Sequence, residues 1–370
     1  MARELIKGNV AMAEAAIRAG LEAYFGYPIT PQTEILEHLS ARMPQLGRAF
    51  VQAESEVAAV NMVYGAACTG ARVMSSSSSP GVSLMMEGFS YIAGTEVPAV
   101  FINVMRGGPG LGNIAPAQSD YYQAVRGGGH GDYHSIVLAP ASVQEGIDMT
   151  MLAFDLAEKY RSIAIVLTDG SMGQMMEPAE LPEMRPVKRQ ETDWMVSGTP
   201  GRPRRTLSSI YLEPVDEEKA NLRMLKNWQT ICANEVRYKE YFLDDAEFVI
   251  VGFGTSGRVA LSAVRAARAQ GIKVGLLRPV TVNPFPTKVI EELAARAQAF
   301  LVVEMNTGQM LEDVQLAVRG RTPVEFYGRP GGVVPFADDI LHEIQRISTS
   351  KLSLDTDPRF AWLERTLATG

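Results

Sequence analysis

Short apolar runs separated by stretches of helical periodicity constrain this chain more than any other feature. AYFGYP (residues 23–28), ARVMSSSS (71–78), VPAVFINVM (97–105), SIVLAP (135–140) and AIVLTDG (164–170) read as strands. Residues 35–42, 51–70, 82–93, 120–125 and 142–158 carry apolar positions at helical spacing between them. LIKGNVAMAEAAIRAG (5–20) reads as a leading helix closed by Gly20. Strands joined in turn by helices pair in parallel, which demands a sheet covered by helices on both faces. The expected class is α/β with two doubly wound domains. The first is expected over 1–185, a linker and helical connector over 186–245, a second domain over 246–350 and a tail over 351–370.

The segment after residue 170 carries the boundary argument. PAELPEMRPVKRQETDWMVSGTPGRPRR is rich in proline, glycine and charge, and reads as an extended crossing. Leu222, Leu225, Trp228 and Tyr238 then recur through a helical connector (214–242), and a new alternation starts at Phe248. A chain of 370 residues is long enough for two domains.

Composition excludes several classes of partner. A net charge of −7 argues against a nucleic-acid or anionic-membrane surface. No run approaches the roughly 20 apolar residues of a membrane span, and MARELIKGN lacks the apolar core of a secretory signal. A cytoplasmic protein is expected. Cys68 and Cys232 lie far apart, too few for an iron–sulfur or zinc site. His130 and His134 flank a Gly-Asp-Tyr turn, where hydrogen bonding within the loop is the favoured reading and no metal site is expected.

Three residue types at segment ends point to chemistry. Glu56 sits in VQAESEVAAVNMVYGAACTGA (51–71), among Val57, Ala58, Ala59, Val60, Met62 and Val63, with no Lys or Arg one helical turn away. A carboxylate removed from water must be paired, protonated or engaged by a ligand. The turn YPITP (Tyr27–Pro31) follows one apolar run, and Arg106 closes another in VMRGGPGLG. Each has a plain alternative. A glutamate at a helix start, beside Ser55 or Gln52, is commonly a capping or dipole-stabilising residue. Thr30 suits an ordinary turn, and an arginine after a strand suits a surface ion pair. Together they suggest a site for a small acidic substrate and a nitrogenous cofactor.

GFGTSG (Gly252–Gly257) is a literal GxGxxG between a strand and a helix. A dinucleotide site also expects an acid about 20 residues on, at the end of the next strand. That strand, KVGLL, ends instead in Arg278-Pro279. A tight turn needing glycine for close packing is the favoured reading, with an NADP-linked oxidoreductase as the alternative.

The set GYPITP, QAESEVAA, SSSSPGVSLM, MRGGPGLG, GHGDY and LTDG resembles the alpha subunit of 2-oxoacid:ferredoxin oxidoreductases, over nearly the whole chain. The resemblance implies an N-terminal pyrimidine-binding domain for thiamine diphosphate (ThDP) and a transketolase-C-like second domain. It implies a beta subunit that supplies the diphosphate and Mg²⁺ domain and a [4Fe-4S] cluster. It also implies gamma and ferredoxin-like delta subunits, ferredoxin or a similar acceptor, and coenzyme A as co-substrate. Asp169-Gly170, preceded by Thr168, lacks the downstream Asn of a Mg²⁺–diphosphate motif, in keeping with that division.

Under the resemblance Glu56 matches the catalytic glutamate that hydrogen-bonds N1′ of the aminopyrimidine. Arg106 and Thr30 match the residues that bind the substrate carboxylate or keto oxygen. Tyr27, Pro28, Ile29, Ser79, Pro80 and Gly81 correspond to positions on the cofactor side, and Asp120 to an acid near the coenzyme or interface. 2-Oxoglutarate-specific relatives commonly carry a GPSTG-like loop after the arginine, whereas this chain has Gly108-Pro109-Gly110-Leu111-Gly112. Leu111 offers no polar handle to a second carboxylate. A branched-chain acid such as 2-oxoisovalerate is therefore expected. 2-Oxoglutarate (through Arg126 or a partner residue) and aromatic 2-oxoacids remain open, as does a non-catalytic structural subunit.

Overall fold

The structure, a computed structural model, describes residues 3–187 and 192–369. The chain forms two compact units, and it enters the second one twice. Unit 1 comprises Met1–Met105 and Gln123–Glu235; unit 2 comprises Arg106–Tyr122 and Val236–Gly370.

Unit 1 carries strands β1 (Glu4–Lys7), β2 (Ala23–Gly26), β3 (Ala49–Gln52), β4 (Val73–Ser77), β5 (Ala99–Met105), β6 (Ile136–Leu138), β7 (Ile163–Asp169) and β8 (Met176–Ala179). Its main sheet runs β6-β7-β5-β4-β2-β3, parallel at every step. β5 is the central example of why: AVFINVM is buried at all seven positions, the pattern of a strand covered on both faces. The strand order reverses between β2 and β4. The loops after those two strands therefore leave the sheet in opposite directions and open a crevice at its carboxyl edge.

Unit 2 contains β9 (Tyr238–Tyr241), β10 (Phe248–Val251), β11 (Val274–Pro279), β12 (Thr281–Asn283), β13 (Ala299–Glu304) and β14 (Val324–Gly328). Five of them pair in the order β14-β13-β10-β11-β9, with only β9 antiparallel. Both units are α/β. Among the described residues, no helix is long and apolar enough to cross a membrane.

Three local expectations change. Residues 4–7 are not helical: β1 pairs antiparallel with β8, and the helix begins at Gly8. Apolar spacing alone does not separate a short edge strand from a first helical turn. Ala49–Gln52 is likewise a strand, so the following helix runs Glu56–Cys68 and Glu56 is its first residue. The connector helix runs Pro214–Asn234, and Tyr238 lies on β9, where it registers with Pro279.

Candidate active site

Three loops follow the ends of neighbouring parallel strands: Tyr27–Pro31 after β2, Ala53–Ser55 after β3 and Ser78 after β4. Ser55 turns the second of these into a helix, its Oγ accepting the Ala58 N–H at 3.2 Å. Glu56 thus occupies the first helical position, where free backbone N–H groups and the helix dipole favour a negative charge. The side chain is only 5% exposed. Among the described residues, its carboxylate has no hydrogen-bond or ion-pair partner.

What stands opposite Glu56 is a glycine. A Cβ built on Gly81 would lie 2.5 Å from Glu56 Oε1 and would also strike Ser77 Oγ. Gly81 sits in the first turn of the helix Ser79–Gly94, with Pro80 beside it at the helix start. The hydroxyls of Ser77 and Ser78 are buried and have no hydrogen-bond partner among the described residues. The structure therefore brings Glu56 together with Ser77 and Gly81, the latter at the head of the Ser79-Pro80-Gly81 turn. The Glu56 carboxylate and the Ser77 hydroxyl thus close directly against the Gly81 backbone, and buried polar groups left without a partner are the kind a hydrogen-bonding ligand satisfies.

Thr30 is exposed, as is Tyr27, while Pro28 and Ile29 are half-buried. Their turn is fixed from behind. Asn9 Nδ2 donates to Pro31 O at 2.7 Å and to Glu34 Oε2 at 2.7 Å. Gln32 Nε2 donates to Tyr27 O, and Gln32 Oε1 accepts from Ser76 Oγ, which also meets Tyr24 Oη at 2.7 Å. Successive serines of β4 thus diverge, as strand alternation requires: Ser76 braces the threonine turn while Ser77 faces Gly81. The serine run signals this in the sequence, because hydroxyls on a fully buried strand need a use. Sequence reasoning passed over Ser77, Ser78, Gln32 and Asn9.

Arg106 and Asp120 belong to unit 2. Arg106 is 7% exposed, and its Nη2 donates to Leu111 O at 3.1 Å. Leu111 itself is 82% exposed, so its side chain sits at the tip of the loop and its carbonyl is the group that meets the arginine. Asp120 is half-buried beside Ser119, whose carbonyl accepts from Gln309 Nε2.

The remaining candidates resolve into structural roles. His134 stacks on Trp228 with ring centroids 4.5 Å apart, and burial pushes its pKa below the usual value. Cys68 and Cys232 are half-buried, and burial raises both thiols. No metal-holding cluster of His, Cys, Asp or Glu occurs among the described residues. In GFGTSG, Phe253 O and Ser256 Oγ are occupied by the side chain of Gln118. Arg278 is 2% exposed rather than presented for a ribose phosphate. Both facts weigh against the NADP alternative.

Residues 14–222 match the family described as pyruvate flavodoxin/ferredoxin oxidoreductase, thiamine diphosphate-binding. Residues 246–340 match pyruvate:ferredoxin oxidoreductase core domain II. The chain belongs to the 2-oxoacid:ferredoxin oxidoreductases. It is 52% identical to ketoisovalerate oxidoreductase subunit VorB of Methanothermobacter thermautotrophicus, across 94% of this chain and 99% of that one. Identity to 2-oxoglutarate synthase subunit KorA of Methanothermobacter marburgensis is 36%, across 92% and 97%. Among solved structures, 2-oxoglutarate:ferredoxin oxidoreductase from Magnetococcus marinus, with 2-oxoglutarate, coenzyme A and succinyl-CoA bound, superposes with a TM-score of 0.83 at 27% identity. The match covers 93% of this chain and 65% of that longer one. A split-gene transketolase, 13% identical at a TM-score of 0.58, shares the fold. This oxidoreductase family is ThDP-dependent, and its members are named as subunits of larger enzymes.

Proposed function

We propose that this chain is the alpha subunit of a 2-oxoacid:ferredoxin oxidoreductase acting on a branched-chain 2-oxoacid, with 2-oxoisovalerate as its preferred substrate. The reaction consumes the 2-oxoacid, coenzyme A and two oxidised one-electron acceptors. It yields acyl-CoA, CO₂, a proton and two reduced acceptors. The observation that carries this reading is the buried Glu56 carboxylate, facing the bare backbone of Gly81 and without a partner among the described residues.

ThDP, when bound, supplies the nucleophilic carbon and the electron sink that decarboxylation of a 2-oxoacid needs. Glu56 would hold the proton at N1′ of its aminopyrimidine ring. The carboxylate is suited to this because water is largely excluded, which strengthens a hydrogen bond between an acid and a ring nitrogen. Gly81 leaves room for the Glu56 carboxylate and the Ser77 hydroxyl to close against its backbone, and the buried hydroxyls of Ser77 and Ser78 could donate to the ring's polar edge. Tyr27, Pro28, Ile29, Ser79 and Pro80 would form the surrounding wall.

Arg106 would receive the substrate carboxylate, since a planar guanidinium matches it through paired hydrogen bonds in a way that lysine does not. The Thr30 hydroxyl, exposed on its braced turn, would donate to the carboxylate or keto oxygen. Tyr27, Val57 and Leu84, next to the site residues in sequence, are large, apolar and exposed. They fit a surface covered by a beta subunit that brings the diphosphate, Mg²⁺ and [4Fe-4S] binding elements. Gamma and ferredoxin-like delta subunits, and a ferredoxin acceptor, complete the proposed assembly. Asp120 is proposed near the coenzyme. The preference for 2-oxoisovalerate is supported by the higher identity to the ketoisovalerate subunits than to the 2-oxoglutarate ones.

The test is to purify the assembled complex and measure CoA-dependent reduction of a low-potential one-electron acceptor. A kcat/KM at least about tenfold higher for 2-oxoisovalerate than for 2-oxoglutarate is expected, a margin that a differently shaped pocket can supply. Comparable values would overturn the substrate assignment. Near-intact turnover in Glu56→Gln would overturn the catalytic one.

A further inference from the structure

The GFGTSG turn has a use within this chain, and the residue that uses it is Gln118. Gln118 is fully buried at 0% exposure, and every polar atom it owns is engaged. Its Nε2 donates to Phe253 O at 2.9 Å. Its Oε1 accepts from Ser256 Oγ at 2.8 Å and from the Met305 N–H at 3.1 Å. Its backbone N–H donates to Met305 O at 3.0 Å, and its carbonyl accepts from Asn306 Nδ2 at 2.7 Å. The amide has one possible orientation, because Phe253 offers only an acceptor and Met305 N only a donor.

Those partners belong to two places in unit 2. Phe253 and Ser256 form the turn from β10 into the helix Gly254–Ala269, where Gly257 has no room for a side chain: a Cβ there would strike the carbonyl of Gly252. Met305 and Asn306 follow β13 directly. Gln118 therefore joins the carboxyl ends of two neighbouring parallel strands.

The segment it holds is the one that carries Arg106. From Arg106 the chain makes a loop closed on itself, with Arg106 bridged to Pro116, the Gly107 N–H donating to Ala115 O, and the Asn113 N–H donating to Gly107 O. Asn113 Nδ2 reaches Gly331 O at 2.9 Å. Most of the loop tip, Gly108 to Ile114, is exposed. The buried anchorage that follows it begins at Ala117, and its side-chain hydrogen bonds begin at Gln118.

We propose that Gln118 is a positioning residue for Arg106: by filling the GFGTSG turn with its amide it fixes the 106–118 segment, and so sets where the guanidinium receives the 2-oxoacid carboxylate. The glycine-rich turn then serves as a socket for a side chain of the same polypeptide instead of a dinucleotide. The role in substrate binding rests on the assignment of Arg106 made above.

The experiment uses the assembled complex and a double-mutant cycle. Gln118→Ala is expected to raise KM for 2-oxoisovalerate at least about tenfold while leaving KM for coenzyme A unchanged. In an Arg106→Ala background the same change is expected to add less than about twofold. Ser256→Ala, which removes a single bond to Gln118, is expected to give a smaller rise in KM and keeps the test available if Gln118→Ala does not assemble. Hydrogen–deuterium exchange of the complex supplies a readout apart from turnover, with faster exchange expected at 107–117 and unchanged exchange in β5 and β7. Equal effects of Gln118→Ala in both backgrounds, or unaltered exchange at 107–117, would overturn the proposal. If Arg106→Ala leaves KM for the 2-oxoacid unaltered, the assignment of Arg106 fails and takes the substrate role of Gln118 with it. The exchange data then report whether Gln118 holds the segment.

Discussion

Gly81 and Glu56 meet so closely that one methyl group on the glycine would stand 2.5 Å from the carboxylate oxygen Oε1. Alanine is a better helix former than glycine, so Gly81→Ala ought to help the helix Ser79–Gly94 on propensity alone. The contact reverses that expectation for function. Steady-state assays of the complex are expected to show at least about a tenfold loss in kcat/KM, with ThDP affinity falling in a titration. Wild-type affinity and rate in Gly81→Ala would mean that the close approach of Glu56 to Gly81 is not needed for cofactor binding.

Glu56→Gln separates stability from chemistry. A buried carboxylate without a partner among the described residues is costly, and an amide of the same shape carries less desolvation. Calorimetry of the cofactor-free protein should therefore give a Tm equal to or a few degrees above wild type. Turnover is expected to fall by about two orders of magnitude or more, the range lost with a general acid or base.

The brace behind Thr30 is open to a direct test through Asn9, which is 0% exposed and donates to both Pro31 O and Glu34 Oε2. Asn9→Ala removes both bonds and leaves buried acceptors with fewer donors, at a cost of about 1–3 kcal/mol. Denaturant unfolding is expected to report that loss, and kinetics a raised KM for the 2-oxoacid. An unaltered KM beside the lost stability would limit Asn9 to the fold.

Unit 2 contains a carboxyl group with a distinct pH signature. Glu304 is completely buried, and burial pushes its pKa from 4.5 up to about 7, although the N–H groups of Met310 and Leu311 and the Asn306 amide favour the anion. Between those two values the unfolded chain binds fewer protons than the folded one, so stability falls as pH rises. The contribution is fully present below about 4.5 and is lost as pH rises through about 7, a change of about 3 kcal/mol at most. Glu304→Gln is expected to flatten this part of a stability-against-pH curve, followed by denaturant midpoint at fixed ionic strength. An identical slope in the variant would assign the effect to other groups.

The legible parts of this protein were those where one physical rule dominates. Continuous burial made β5 and β7 plain in the sequence, and the glycine and proline at YPITP and SSSSPG marked the turns that follow strands. Glu56 stood out because a carboxylate among alanines and valines conflicts with its surroundings. Pairing partners were not legible. β1 and β3 are four-residue edge strands whose apolar spacing also suits a helical turn, and only β8 and β2 decide the matter. Gln118 was invisible for a different reason: an isolated glutamine in a loop has no pattern, and its four partner residues are scattered over residues 253–306. GFGTSG had the right letters for a nucleotide turn and the wrong occupant.

The chain's double passage into unit 2 bears on how the protein can be taken apart. A gene truncated to begin at Val236 would encode every strand of the second sheet yet omit residues 106–122, stranding the carbonyls of Phe253 and Met305 and the amide of Asn306 without their counterpart. No single scissile point yields both halves intact. Any recombinant fragment, circular permutant or natural gene fission that preserves the second half must carry that short stretch along or replace it.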